Sequence, residues 1–196
     1  MYKAVFNILL AVSWIVLVLS CSNEPAVTNK KKVIVKKFDD GSTQAECDCF
    51  KNEKADGECF LYYPSGKINA ISHWKNGLKE GKYKTYYETG EIKLICYFKQ
   101  GIRDSLQTEY YLSGKIKSKS YFKNNLPEGD VKEYFGSGNL LAHYYSIKGK
   151  ANGKYTFYYD TIPQIIREEG IQVDGKKRGT SKIYDKKGIL IEEIEH

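Results

Sequence analysis

Arginine, histidine and proline are all scarce in this chain, and no stretch shows the 3.6-residue apolar period of an amphipathic helix. Of 31 basic residues only Arg103, Arg167 and Arg178 are arginine. Base reading leans on the planar, bidentate guanidinium fork, so three scattered Arg argue against specific nucleic-acid recognition. The three histidines, His73, His143 and His196, form no His-Glu-x-x-His spacing. No serine sits in a G-x-S-x-G elbow, and no Gly-rich loop opens a helix. At 196 residues the chain falls short of the roughly 250 that an eightfold β/α barrel needs. The expectation is therefore a protein without catalysis, metal or cofactor.

The composition is nevertheless globular, with 41% hydrophobic and 28% charged residues. Net charge is +7, but the signs are interleaved, as in Lys30-Lys31-Lys32 followed by Asp39-Asp40. That pattern reads as a solvated surface rather than a polyanion site. The abundant residue is Tyr, at 17 copies, whose apolar ring and polar tip suit half-wet surfaces.

The first twenty residues are a separate object. Lys3 gives a basic start, and Ile8 to Leu19 is a nearly unbroken apolar run. About 12 residues is too short to span a bilayer core of ~30 Å but matches the apolar region of an export signal. The run ends in Val18-Leu19-Ser20-Cys21, which resembles the lipobox of bacterial lipoproteins. That resemblance implies cleavage before Cys21, acylation of it, and a lipid-anchored protein of the bacterial envelope, at the outer membrane. Residues 1–20 are then the signal. Residues 21–32 are a flexible tether, polar and carrying Pro25.

Beyond the tether the chain repeats itself. Copies begin at Gly57, Gly81, Ser105, Gly129, Gly153 and Gly179, spaced by 24 four times and then 26. Two more columns are Gly66, Gly90, Gly114, Gly138, Gly188 and Gly77, Gly101, Gly149, Gly175, with Asn125 in the gap. Together these columns hold 14 of the 17 glycines. Tyr62, Tyr86, Tyr110, Tyr134, Tyr158 and Tyr184 fill one position in all six copies. The next position holds Tyr63, Tyr87, Tyr111, Phe135 and Tyr159, and lapses at Asp185. Residues 33–56 read as a degenerate first copy, and 57–196 as the array.

Each copy reads as two strands of about seven residues and two tight turns. The fold class expected is all-β: one extended antiparallel sheet of six to seven hairpins in meander order. About twelve or thirteen strands at ~4.8 Å spacing would make it some 60 Å long. Such a sheet must twist, and with no helix to cover it has no two-layer core. Successive side chains alternate faces, so the two Tyr columns fall on opposite faces. The six-copy column, Tyr62 to Tyr184, is the expected concave binding face. Acidic residues at turns (Glu80, Asp104, Glu128) read as solvated turn chemistry.

Segments such as Trp74-Lys75-Asn76-Gly77-Leu78-Lys79-Glu80-Gly81 resemble the MORN repeat, and more nearly its bacterial variant, the YwqK-type antitoxin family. The resemblance spans roughly residues 33–196. It implies single-layer hairpin sheets that contact lipid or protein. Two expectations follow. One is a membrane-anchored, non-catalytic scaffold that binds a protein or an envelope glycan or lipid through its aromatic sheet. The other is an antitoxin or immunity protein, although a basic, exported chain suits a cytosolic nuclease toxin poorly.

Cys47, Cys49 and Cys59 cluster, and outside the cytoplasm clustered Cys oxidise. Cys59 is expected to pair with either Cys47 or Cys49. A metal site would need a fourth ligand, and none is near in sequence. Cys96, assigned the opposite strand parity to Cys47 and Cys49, is expected to be a small buried hydrophobe.

Overall fold

The computed structural model describes residues 33–51 and 54–196. The export signal, the tether and Cys21 lie outside the described residues. The strands are β1 (Val33–Lys37), β2 (Thr43–Lys51), β3 (Lys54–Tyr62), β4 (Ile68–Lys75) and β5 (Leu78–Tyr86). There follow β6 (Ile92–Lys99), β7 (Ile102–Arg103), β8 (Ser105–Tyr110), β9 (Ile116–Lys123) and β10 (Leu126–Tyr134). The last five are β11 (Leu140–Ile147), β12 (Lys150–Tyr158), β13 (Ile166–Val173), β14 (Lys176–Tyr184) and β15 (Leu190–Glu195). All join one antiparallel sheet in chain order, with β7 as a short side piece on β6. No helix occurs among the described residues.

Two joints alternate along the sheet. The first begins at the second aromatic of each Tyr pair: Tyr87 N donates to the Glu91 carbonyl at 2.8 Å, and Gly90 N to the Tyr87 carbonyl at 2.9 Å. The second is a two-residue turn with both φ angles positive, as at Asn76 (52°) and Gly77 (80°) between the paired Lys75 and Leu78. That is the primed hairpin geometry, and it explains the glycine column ending each copy. Each such tip docks on the copy before it: Gly77 N donates to the Ala55 carbonyl at 2.9 Å, and Gly101 N to the Lys79 carbonyl at 2.8 Å. The side chains of Glu80 and Glu128 accept from Gln100 N and Lys148 N, each at 2.7 Å. These carboxylates are clasps between neighbouring hairpins, where the sequence suggested only solvation.

The remaining glycine column marks a bulge. Ser72 pairs with Tyr83 but Trp74 pairs with Lys79, so Glu80, Gly81 and Lys82 face the single His73. Gly81 sits there at φ 73°, a conformation that costs a residue with a Cβ. At Ser105 the column holds a non-glycine at φ 80°, and there the continuous strand breaks into β7 and β8.

With one layer, burial comes only from neighbours on the same face. Among the described residues the buried apolar ones are accordingly small (Cys47, Cys59, Ala70, Cys96, Val131, Ala142), with Tyr155 the one large ring. Cross-strand pairing links several of them into a row across the sheet. It runs Cys47, Cys59, Ser72, Tyr83, Cys96 through β2 to β6. The register of β6 on β8, Leu94 opposite Glu109, carries it to Gln107. From there it passes Ser120, Val131, Tyr144, Tyr155 and Gly170. Cys96 therefore shares a face with Cys47. Simple alternation placed it on the other because bulges insert residues that shift the parity.

Candidate binding face

The face that carries this row also carries a hollow of about 700 Å³ over β8 to β13. Gln107, Ser120, Val131 and Tyr144 of the row line it, flanked by Glu109, Ser118, Glu133 and Phe157. Amide, hydroxyl and carboxylate groups thus lie among four aromatic residues, Tyr111, Tyr134, Tyr144 and Phe157. Such a mixture offers a ligand both flat apolar contact and several hydrogen-bond partners.

Parts of the lining are tied in place. Arg103 Nη1 donates to Gln107 Oε1 at 2.8 Å, and Gln107 Nε2 to Glu109 Oε1 at 3.2 Å. The Arg103 guanidinium lies over the Phe122 ring at 4.6 Å. The Tyr144 hydroxyl donates to Glu133 Oε1 at 3.2 Å. Burial, reinforced by the Glu133 charge, pushes the Tyr144 phenol up to about 12. It stays a neutral donor at any physiological pH.

Toward β4 to β6 the same face holds an aromatic cluster around one cation. Lys79 Nζ lies 4.5 Å from the centroid of Tyr83, 5.1 Å from Phe98 and 5.7 Å from Trp74. Burial among these rings lowers the Lys79 pKa. Ring faces attract an ammonium, so the cluster holds Lys79 as it packs. At the far end, Tyr155 is 1% exposed and its hydroxyl meets Glu168 Oε1 at 2.6 Å and Ser181 Oγ at 2.7 Å. Gly170 permits this: a Cβ there would lie 2.9 Å from both the Tyr155 and Ser181 oxygens. Lys177 completes the pair with Glu168, and His196 Nε2 meets Ser181 Oγ at 2.7 Å.

The two Tyr columns have different tasks. The Tyr62, Tyr86, Tyr110, Tyr134, Tyr158, Tyr184 column has the parity of the face away from the row. There the Tyr62 hydroxyl donates to Glu46, and Tyr184 to Glu169 Oε1 at 2.9 Å. Of this column only Tyr134 borders the larger hollow. The second column is a hydrogen-bond ladder. The hydroxyls of Tyr63, Tyr87 and Tyr111 donate to the carbonyls of Tyr86, Tyr110 and Tyr134 at 2.8, 2.8 and 2.7 Å. Tyr159 does the same to Tyr184 at 2.8 Å.

Cys47 and Cys59 are direct cross-strand partners and form a disulfide, with Cα atoms 4.0 Å apart. Cys49 pairs by backbone with Asp56. Cys96 is a free, buried thiol, 2% exposed, and burial raises its pKa. His143 meets Asp130 Oδ1 at 2.9 Å, while His73 is exposed. Among the described residues no group of three or more His, Cys, Asp or Glu is placed to hold a metal. Nor is any helix among them long and apolar enough to cross a membrane.

Tyr111, Tyr134 and Gly149 of the hollow's lining belong to constant columns, but sequence reading passed over Gln107 and Val131 because their repeat position is not constant. Cys59, Tyr83, Gln107, Val131, Tyr155 and Ser181 occupy one repeat position, two after the first residue of each copy. Its signal is variability within an otherwise regular period.

A comparison with curated proteins finds no match. A family model, the MORN repeat variant, matches residues 55–76, 79–100 and 103–124. Each matched segment starts in or just before β3, β5 or β7 and ends on the first residue of a two-residue turn (Asn76, Gln100, Asn124). One match is thus one hairpin, and the sheet continues the same design through β15. The chain carries three consecutive repeats similar to the MORN variant within a single hairpin sheet, and such repeats suggest a repeat-based interaction module.

Proposed function

We propose that this protein is a non-catalytic scaffold of the bacterial outer membrane, held there by lipid on Cys21. In this reading it binds a protein or an envelope glycan along the face that carries the hollow. The observation that supports the reading best is the uncovered hollow of about 700 Å³, in which Gln107, Ser118, Ser120 and Glu133 stand beside Tyr144 and Phe157. No second layer covers this face among the described residues. A non-catalytic role is favoured because His73, His143 and His196 lie apart and Ser181 is only 1% exposed.

Two variants test the proposal. Cys21→Ala should abolish incorporation of labelled fatty acid and release the chain from membranes. Gln107→Ala with Tyr144→Ala should keep the lipid and the membrane location but lose the partner that co-purifies with the wild type. Mature protein with an unmodified Cys21, or a partner retained by the double variant, would overturn it.

A further inference from the structure

We infer that the two ends of the sheet are complementary edges that join copies of this chain head to tail. Among the described residues β1 pairs with β2 alone and β15 with β14 alone. Each therefore keeps outward backbone donors and acceptors, shifted in register at Ile34–Lys37 of β1 and at Ile191 of β15, which can take one more strand.

The two edges carry opposite charge. β1 ends in Lys36 and Lys37, both exposed. β15 reads Leu-Ile-Glu-Glu-Ile-Glu, with Glu192, Glu193 and Glu195 exposed and Leu190 and Ile191 at 45% and 61% exposure. Antiparallel pairing of β15 with β15 of another copy sets Glu192 against Glu193, and pairing β1 with β1 gives the lysines no acidic partner. Like charges across a strand pair destabilise it, so only β1 against β15 is favoured.

Strand direction agrees with charge. With β7 set aside, the path holds fourteen strands of alternating direction, so β15 runs antiparallel to β1. A second copy in the same orientation then continues the meander with the same face outward. Antiparallel pairing brings Lys36 and Lys37 beside Ile191 and Leu190, at the start of β15. The lysine stems can cover the exposed apolar side chains while their ammonium groups reach Glu192 and Glu193. A contact between two different edges does not close on itself, so it extends into a row of copies. The inference does not depend on what the hollow binds.

Sedimentation of the full chain in neutral detergent tests it, across a concentration series at low and high salt. The expected result is a mass that doubles or more with concentration at low salt and returns to one copy at high salt. Lys36→Glu with Lys37→Glu makes both edges acidic, and Glu192→Lys with Glu193→Lys makes both basic. Each pair should remain a single copy, while the fourfold swap should restore assembly. All four side chains are exposed, and only Glu193 has an ion pair to lose, with Lys182 at 3.8 Å, so variants that carry Glu193→Lys should melt slightly lower and the lysine pair should melt as the wild type does. A wild type that stays one copy at low salt throughout the series, or assembly that survives either paired swap, would overturn the inference.

Discussion

The Tyr87 hydroxyl donates to the Tyr110 carbonyl at 2.8 Å, reaching from the turn of one hairpin to the strand end of the next. The same bond recurs from Tyr63, Tyr111 and Tyr159. It stitches repeats together in a sheet that has no second layer among the described residues to hold them. Phe135 occupies the same column without a hydroxyl, so the ladder skips one rung. Phe135→Tyr should restore the bond to the Tyr158 carbonyl and stabilise the array by about 1 kcal/mol, whereas Tyr87→Phe should cost about as much. Chemical denaturation of both variants checks the pair of opposite signs.

Ser105 stands in the glycine column of the bulges at φ 80°, where a side chain is strained. Ser105→Gly should relieve roughly 1 kcal/mol and raise the melting temperature. Faster amide exchange at β7 and β8 in the wild type than in the variant would locate the effect.

The last hairpins should be the acid-sensitive part. Burial works to raise Glu168, but its bonds from Lys177 and Tyr155 prevail and hold it below the usual carboxylate value. Lys154 and Tyr184 lower Glu169 likewise. A carboxyl with a lowered native pKa contributes stability above its unfolded value and loses it as pH falls through the native one. Stability should therefore hold near neutral pH and fall below the ordinary carboxylate range, with β12 to β15 exchanging first. Glu168→Gln should cost about 2 kcal/mol at pH 7, and the gap from the wild type should narrow in acid.

Much of this architecture is legible in the sequence because it is periodic. The glycine columns mark turns and bulges, and the Tyr columns mark strand ends. The face that carries the hollow is less legible for two physical reasons. Bulges at Gly57, Gly81 and their successors insert residues that break simple alternation, which is why Cys96 lands in Cys47's row. The repeat position that places Gln107 and Val131 in the hollow also varies in type from copy to copy, so these two share a position without sharing chemistry.

The Cys47–Cys59 disulfide closes a loop of sequence separation 12 at the start of the sheet. Reduction, or Cys59→Ser, should cost about 3 kcal/mol in the chain-entropy account. The loss should concentrate in β1 to β3 and leave the melting of β8 to β15 nearly unchanged, as amide exchange can show.

The account rests on one face of the sheet meeting the partner, and neighbouring residues of β9 can separate the faces. Ser118 lines the hollow, whereas Lys119 pairs with Thr108 and Lys132 on the other side. A photoreactive benzophenone side chain placed at either position inserts into C–H bonds of protein or glycan alike. Illumination of intact cells should yield a cross-linked adduct from position 118 and none from 119. An adduct from 119 alone, or from neither, would contradict the assignment of the binding face.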